Sequence, residues 1–164
     1  MKEIRIEKIT INMSTGVPGP ELEKAKNLLG IITGKHIVKT SSHKRNTFGV
    51  AKGREMGVMT TLRGNDAREL LVRLFKSLEN RIKASSFDEN GNFSFGIEEY
   101  INIPGVQYEP DIGIMGFDVA VTLERPGYRV RKRKYSRSKL GKEHIIKAEE
   151  AIKWVKKEFG VDVV

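Results

Sequence analysis

Residues 125–142 read RPGYRVRKRKYSRSKLGK, eighteen positions with nine lysines or arginines and no aspartate or glutamate. Guanidinium and ammonium groups at this density do one kind of chemistry well. They donate charge-assisted hydrogen bonds to phosphate oxygens, and they release counterions from a polyanion. Arg129, Arg131, Lys132, Arg133, Lys134, Arg137 and Lys139 are the candidate phosphate contacts. They are interleaved with Tyr128, Tyr135, Ser136 and Ser138. Tyrosine can stack on bases, and serine hydroxyls bond phosphate oxygens. A second acid-free stretch, KTSSHKRNTFGVAKGR at 39–54, carries five more cations.

The distribution of charge says more than its sum. The two stretches hold 14 of the 30 basic residues in 34 positions, and the other 130 positions carry 16 basic and 21 acidic residues. A mildly acidic body with its positive excess in two segments fits a polyanionic partner. A membrane surface would need an amphipathic helix with apolar anchors, which these stretches lack, so no membrane partner is expected. Structured RNA, with its phosphate surface and irregular grooves, is the expected one.

Other chemistry finds little support. Cysteine is absent, which excludes disulfides, thiolate metal sites and cysteine nucleophiles. His36, His43 and His144 are scattered without acidic partners at ligand spacing, so no metal is expected. GIITGKH at 30–36 has three residues between its glycines where a phosphate loop has four, and it closes a helix instead of opening one. Glu98 and Glu99 are neighbours on a strand and point to opposite faces. No catalytic residue and no cofactor is expected. MKEIRIEKIT lacks the apolar core of a signal peptide, and no apolar run reaches the roughly 18 residues of a membrane span. A soluble, cytoplasmic protein is the expectation.

The elements that must position the cations follow from periodicity. Helices are predicted at about 21–32, 65–82 and 142–159, from apolar stripes such as Leu22, Ala25, Leu29 and Ile32. Pro20 suits the first turn of the first, Gly34 its end, and Asn65 the N-cap of the second. The third helix places Glu143–Lys147 and Glu149–Lys153 as i,i+4 pairs. Strands with period-2 alternation are predicted near 9–13, 37–39, 58–63, 93–101 and 117–124. Phe93 and Phe95 share register with Ile97 and Ile101, and are therefore core and not base-stacking platforms.

The fold class read from this order is α+β. One mostly antiparallel sheet carries helices packed on one face, an RNA-recognition-like or ferredoxin-like architecture, with two long basic loops. The chain reads as a single RNA-binding domain, 1–164, with those loops at about 39–55 and 125–142. Both loops are too polar to pack as core and are expected to be loosely held without a counter-charge. The uncovered sheet face would consist of Thr10, Asn12, Thr61, Ser94, Gly96, Ala120 and Thr122. Such a face is either ordinarily solvated or short enough in its side chains to let a large partner approach.

The strings KITINMSTG, SHKRNTFGVAKGREMGVMTTLRG and FSFGIEEYINIPG, and the segment onward to the last helix, resemble one family. It is the large-subunit ribosomal protein, fifth of its series, that binds 5S ribosomal RNA. The resemblance covers nearly the whole chain and looks like the archaeal and eukaryotic branch, with the length favouring the archaeal side. Bacterial members have a longer N-terminal helix ahead of KITINM. The resemblance implies a structural, non-enzymatic protein of the central protuberance. Its implied partners are 5S rRNA, 23S rRNA, the peptidyl-site tRNA, other large-subunit proteins and a small-subunit head protein. The family's 5S contacts match Asn12, Lys35, Phe48 and Thr61; Lys35 stands where bacterial members commonly have glutamine. The tRNA-facing loop matches roughly 42–55, with His43, Lys44, Arg45, Lys52 and Arg54. The 125–142 loop would then grip 23S rRNA. The alternative is a regulatory or RNA-processing binding module with no ribosomal home.

Overall fold

Alternation along the strands decides what faces inward. In β1 (Arg5–Ser14) Ile9, Ile11 and Met13 are buried and Asn12 is exposed. In β6 (Phe117–Glu124) Phe117, Val119, Val121 and Leu123 are buried, while Asp118 and Ala120 face out. The computed structural model describes residues 1–16, 19–45, 47 and 49–164. After β1 come α1 (Pro20–Thr33), β2 (Val38–Ser41), β3 (Glu55–Leu62), α2 (Gly64–Ser77), β4 (Arg81–Ile82) and β5 (Phe93–Ile97). After β6 come α3 (Arg129–Lys132), α4 (Ala148–Phe159) and β7 (Asp162–Val163). The main sheet has the order β2-β3-β1-β6-β5, and β4 pairs with β7 in parallel as a separate two-stranded ribbon. The α+β class with a mostly antiparallel sheet is as expected.

The chain forms two compact units. The first comprises Met1–Ile9, Arg63–Phe95 and Ala120–Val164; the second comprises Thr10–Leu62 and Gly96–Val119. In the first, Leu70, Leu71, Leu74 and Phe75 of α2 are buried with Val121, Leu123 and Val155. Phe75 is the hub, its ring 6.3 Å from Phe93, 5.7 Å from Phe95 and 5.3 Å from Phe159. The phenylalanines of β5 are therefore core, as their register implies. In the second unit α1 packs on β3, burying Leu22, Ala25, Leu28, Leu29 and Ile32. Gly34 closes α1 in the left-handed conformation.

Two helix boundaries differ from the reading of the sequence. The 65–82 helix stops at Ser77, because Glu79 and Asn80 adopt positive φ and turn the chain; Ile82 then lies in β4, opposite Val163. Its start is also one step earlier, with Arg63 in extended conformation as the N-cap and Asn65 inside the first turn. The 142–159 helix begins only at Ala148. Glu143 and Lys147 are thus not an intrahelical pair, and the reason lies in the loop described below.

Gly57 shows how tightly the second unit is built. It sits in β3 opposite Thr40 of β2, and a Cβ there would fall 2.8 Å from Thr40 Oγ1 and 2.9 Å from the Met13 carbonyl oxygen of β1. The atom at Met13 is backbone and cannot rotate away. Gly57→Ala is expected to cost about 1–3 kcal/mol of stability through overpacking, read from urea unfolding midpoints. An unchanged midpoint would contradict this packing.

Candidate nucleic-acid interface

The 125–142 segment begins with a residue that is not a surface cation. Arg125 is 6% exposed. It continues the inward register of Val121 and Leu123, one step past the end of β6. Its Nη1 donates to the carbonyls of His144 (3.3 Å) and Glu143 (3.5 Å), and its Nη2 donates to the Glu150 carboxylate at 2.9 Å. Tyr128 Oη donates to the His144 carbonyl at 3.3 Å and accepts the Ile146 N–H at 3.0 Å. The His144 ring lies edge-on to Tyr128, with Nε2 3.0 Å from the Pro126 carbonyl oxygen. Residues 143–146 therefore spend their backbone groups on the loop and not on a helix. This is why α4 starts late, at an extended Lys147 whose N–H bonds the Glu150 carboxylate at 3.3 Å.

The loop is accordingly tied down at its base, contrary to the expectation of a loosely held segment. Nor is all its charge unpaired. The Lys132 ammonium pairs with Glu7 and lies 3.8 Å from Glu124, while Arg63 lies 3.9 Å from the same Glu7. Glu7 is two residues ahead of Ile9 on β1 and so follows the inward register, which leaves its side chain only 14% exposed. Beyond α3 the chain coils on itself. Arg133 Nε donates to the Ser136 carbonyl and Arg137 Nε to the Arg133 carbonyl, each at 2.7 Å. Lys134 Nζ sits 5.4 Å from the Tyr135 ring centre. Arg129, Arg131, Arg133, Lys134, Arg137 and Lys139 are all exposed. They are presented outward from a fixed base, whereas Lys132 is already half-spent on carboxylates.

The second unit carries the other candidates. Asn12 of β1 and Thr61 of β3 are exposed on neighbouring strands, between buried Ile11, Met13, Thr60 and Leu62. Thr10 beside them is half-buried. Thr60, by contrast, faces inward and donates its hydroxyl to the His36 carbonyl at 3.1 Å. Lys35 is exposed just beyond the Gly34 cap of α1. Phe48 lies outside the described residues.

In the 42–55 loop His43, Lys44, Arg45, Lys52 and Arg54 are exposed. The base is closed by two backbone bonds, Ser42 N–H to the Arg54 carbonyl at 2.9 Å and Gly53 N–H to the Ser42 carbonyl at 2.7 Å. Lys39, counted with the second basic stretch, is not free. It bonds Glu23 at 2.6 Å and lies 3.4 Å from Glu55. Its hydrogen bond with Glu23 lowers the Glu23 pKa and raises its own.

Among the described residues no group of three His, Asp or Glu could hold a metal ion, and no helix is long and apolar enough to cross a membrane. Two residues that shape the site, Arg125 and Glu7, do not stand out in the sequence as candidates. Their signal is nonetheless there: each continues the period-2 inward register of its strand.

An α+β body that presents two clusters of exposed cations from closed loop bases is an RNA-binding type of protein by its chemistry. Residues 55–163 match the model for the C-terminus of the ribosomal uL5 family. The chain is 47% identical over its full length to a protein of Cenarchaeum symbiosum named large ribosomal subunit protein uL5, covering 98% of that relative. It is 46% identical to the proteins of the same name from Sulfurisphaera tokodaii and Nanoarchaeum equitans, again over all of this chain and over 94% and 98% of theirs. The chain belongs to the ribosomal uL5 family.

The Arg125–Glu150 pair gives a pH test of the loop base. Burial pushes the Glu150 carboxyl up, but the Lys147 N–H and the Arg125 guanidinium outweigh it and hold the pKa below the ordinary 4.5. A carboxylate with a depressed folded pKa adds stability above its unfolded pKa, and that stability is lost as pH falls through the folded value. Glu150→Gln should therefore cost about 0.5–1 kcal/mol at neutral pH, the scale of a half-exposed helix-start contact. The gap between variant and wild type should close as the pH is lowered through the acid side of 4.5. Urea titrations across that range provide the check, and a gap independent of pH would contradict the pairing.

Proposed function

We propose that this chain is a structural protein of the large ribosomal subunit, archaeal in type, working in the cytoplasm as one RNA-binding domain over residues 1–164. The observation that carries this reading is the full-length identity of 46–47% to proteins named for that role, in a chain whose excess charge lies in two loops. In the finer reading it holds 5S rRNA in the central protuberance through Asn12, Lys35, Phe48 and Thr61. The loop of 42–55, with His43, Lys44, Arg45, Lys52 and Arg54, faces the peptidyl-site tRNA. Arg129, Arg131, Arg133, Lys134, Arg137 and Lys139 contact 23S rRNA, and other surfaces meet large-subunit proteins and a protein of the small-subunit head.

Physical arguments support these assignments. Asn12 and Thr61 are short polar side chains exposed on adjacent strands, so an RNA groove can come close to the sheet without meeting long side chains. Asn12 offers both a donor and an acceptor, which phosphate binding alone does not need and base or sugar recognition does. The loop cations contribute charge, which raises affinity for any RNA and confers little choice among sequences.

Asn12→Ala is expected to weaken 5S rRNA binding by about 1–3 kcal/mol with folding intact, as for a contact hydrogen bond left unmade. Filter binding against 5S rRNA, a tRNA and an unrelated hairpin checks it. Undiminished 5S affinity in a folded variant would remove Asn12 from the interface.

The loop is tested by salt. Replacing Arg131, Arg133 and Lys134 with glutamine should flatten the slope of log affinity against log salt by about 2–2.5, at roughly 0.7–0.9 per lost phosphate contact. Lys132→Gln alone should move it far less, because Glu7 and Glu124 already neutralise that ammonium. An unaltered slope in the triple variant on every RNA tried would exclude the loop as a phosphate contact.

A further inference from the structure

A cavity of about 320 Å³ opens in the first unit where the basic segment leaves β6. Five cations line it: Arg5, Arg63, Arg125, Arg129 and Lys132. Two carboxylates, Glu7 and Glu124, are the acids in its wall. Lys132 pairs with both acids and Arg63 with Glu7, while Arg125 spends its charge on Glu150. Among the described residues Arg5 and Arg129 have no acidic partner. Arg125 also keeps an unspent donor, since its buried Nε has no hydrogen-bond partner.

Unpaired guanidiniums facing one concave space are costly to hold together unless an anion enters. Arginine is the residue whose planar fork matches the oxygens of a phosphate. We propose that this cavity is a phosphate-binding pocket, with Arg5 and Arg129 as its primary contacts. Arg63 and Lys132 form a reserve pair held back by Glu7. The Glu7 carboxylate occupies the position of an internal counter-anion, and an incoming phosphate competes with it for both reserve cations. The inference rests on the RNA-binding reading for the source of the phosphate, a backbone phosphodiester, but not for the chemistry of the pocket.

The arrangement predicts opposite signs for neighbouring substitutions. Arg5 and Arg129 are exposed and unpaired, so Arg5→Gln and Arg129→Gln should leave the fold intact, as circular dichroism will show. Orthophosphate, titrated into the full chain and followed by phosphorus NMR line width, should bind each about fivefold more weakly than wild type, the loss of one partly screened charge contact. Glu7→Gln should bind it more tightly, because Arg63 and Lys132 are released. An RNA hairpin added to the wild type should displace the phosphate if a backbone phosphodiester enters the pocket. Phosphate that stays bound beside the hairpin would assign the same pocket to a free anion. Equal phosphate affinity in all four proteins, or weaker binding in Glu7→Gln, would overturn the pocket. Wild-type protein that binds phosphate but no RNA would overturn the RNA-binding reading alone.

Discussion

Nine like charges within eighteen residues repel one another, and a chain that concentrates them must hold them at a fixed place. Here the holding is done by a cation turned inward. Arg125 gives up its freedom to bond two carbonyls and the Glu150 carboxylate, and Tyr128 bonds two backbone groups of the same turn. Burying a charge is tolerated only with partners, and three acceptors supply them. The start of α4, the turn at 143–146 and the base of the loop are thereby one hydrogen-bonded unit. The outward cations then need no acidic neighbours of their own, which would compete with RNA.

The second unit answers a different need. Its exposed sheet residues Asn12 and Thr61 are short and uncharged, backed by the apolar face that packs α1 on β3. Affinity and choice are thus carried by different chemistry. Loop cations act through long-range charge and are weakened by salt. Strand side chains act at contact distance and are not.

Much of this was legible in the residues. Period-2 alternation gave the strands and their outward positions, and the shared register of Phe93, Phe95 and Ile97 placed those rings in the core, where Phe75 meets them. Helix ends were less legible. The apolar stripe 70-71-74-75-78-82 runs on past Ser77, but it cannot reveal that Glu79 and Asn80 take positive φ and send Ile82 into a strand. The stripe through Ile145 likewise hides the capture of the Glu143 and His144 carbonyls by a residue eighteen or nineteen positions earlier. Charge composition misled in the same way. Counting cations without their tertiary partners makes Arg125, Lys132 and Lys39 look free, when each meets a carboxylate from elsewhere in the chain. Family resemblance supplied the 5S and tRNA assignments, which periodicity alone could not.

The central claim is that this chain is a resident of the large ribosomal subunit. Sedimentation tests it most directly. Cell extract from the native source is resolved on a sucrose gradient, and the protein is quantified across it by mass spectrometry against other large-subunit proteins. Near one copy per large subunit is the predicted result, stable at moderate salt and lost at high salt. Protein that stays at the top of the gradient, or follows only a minor RNA-bound fraction, would contradict it and favour a free RNA-binding module.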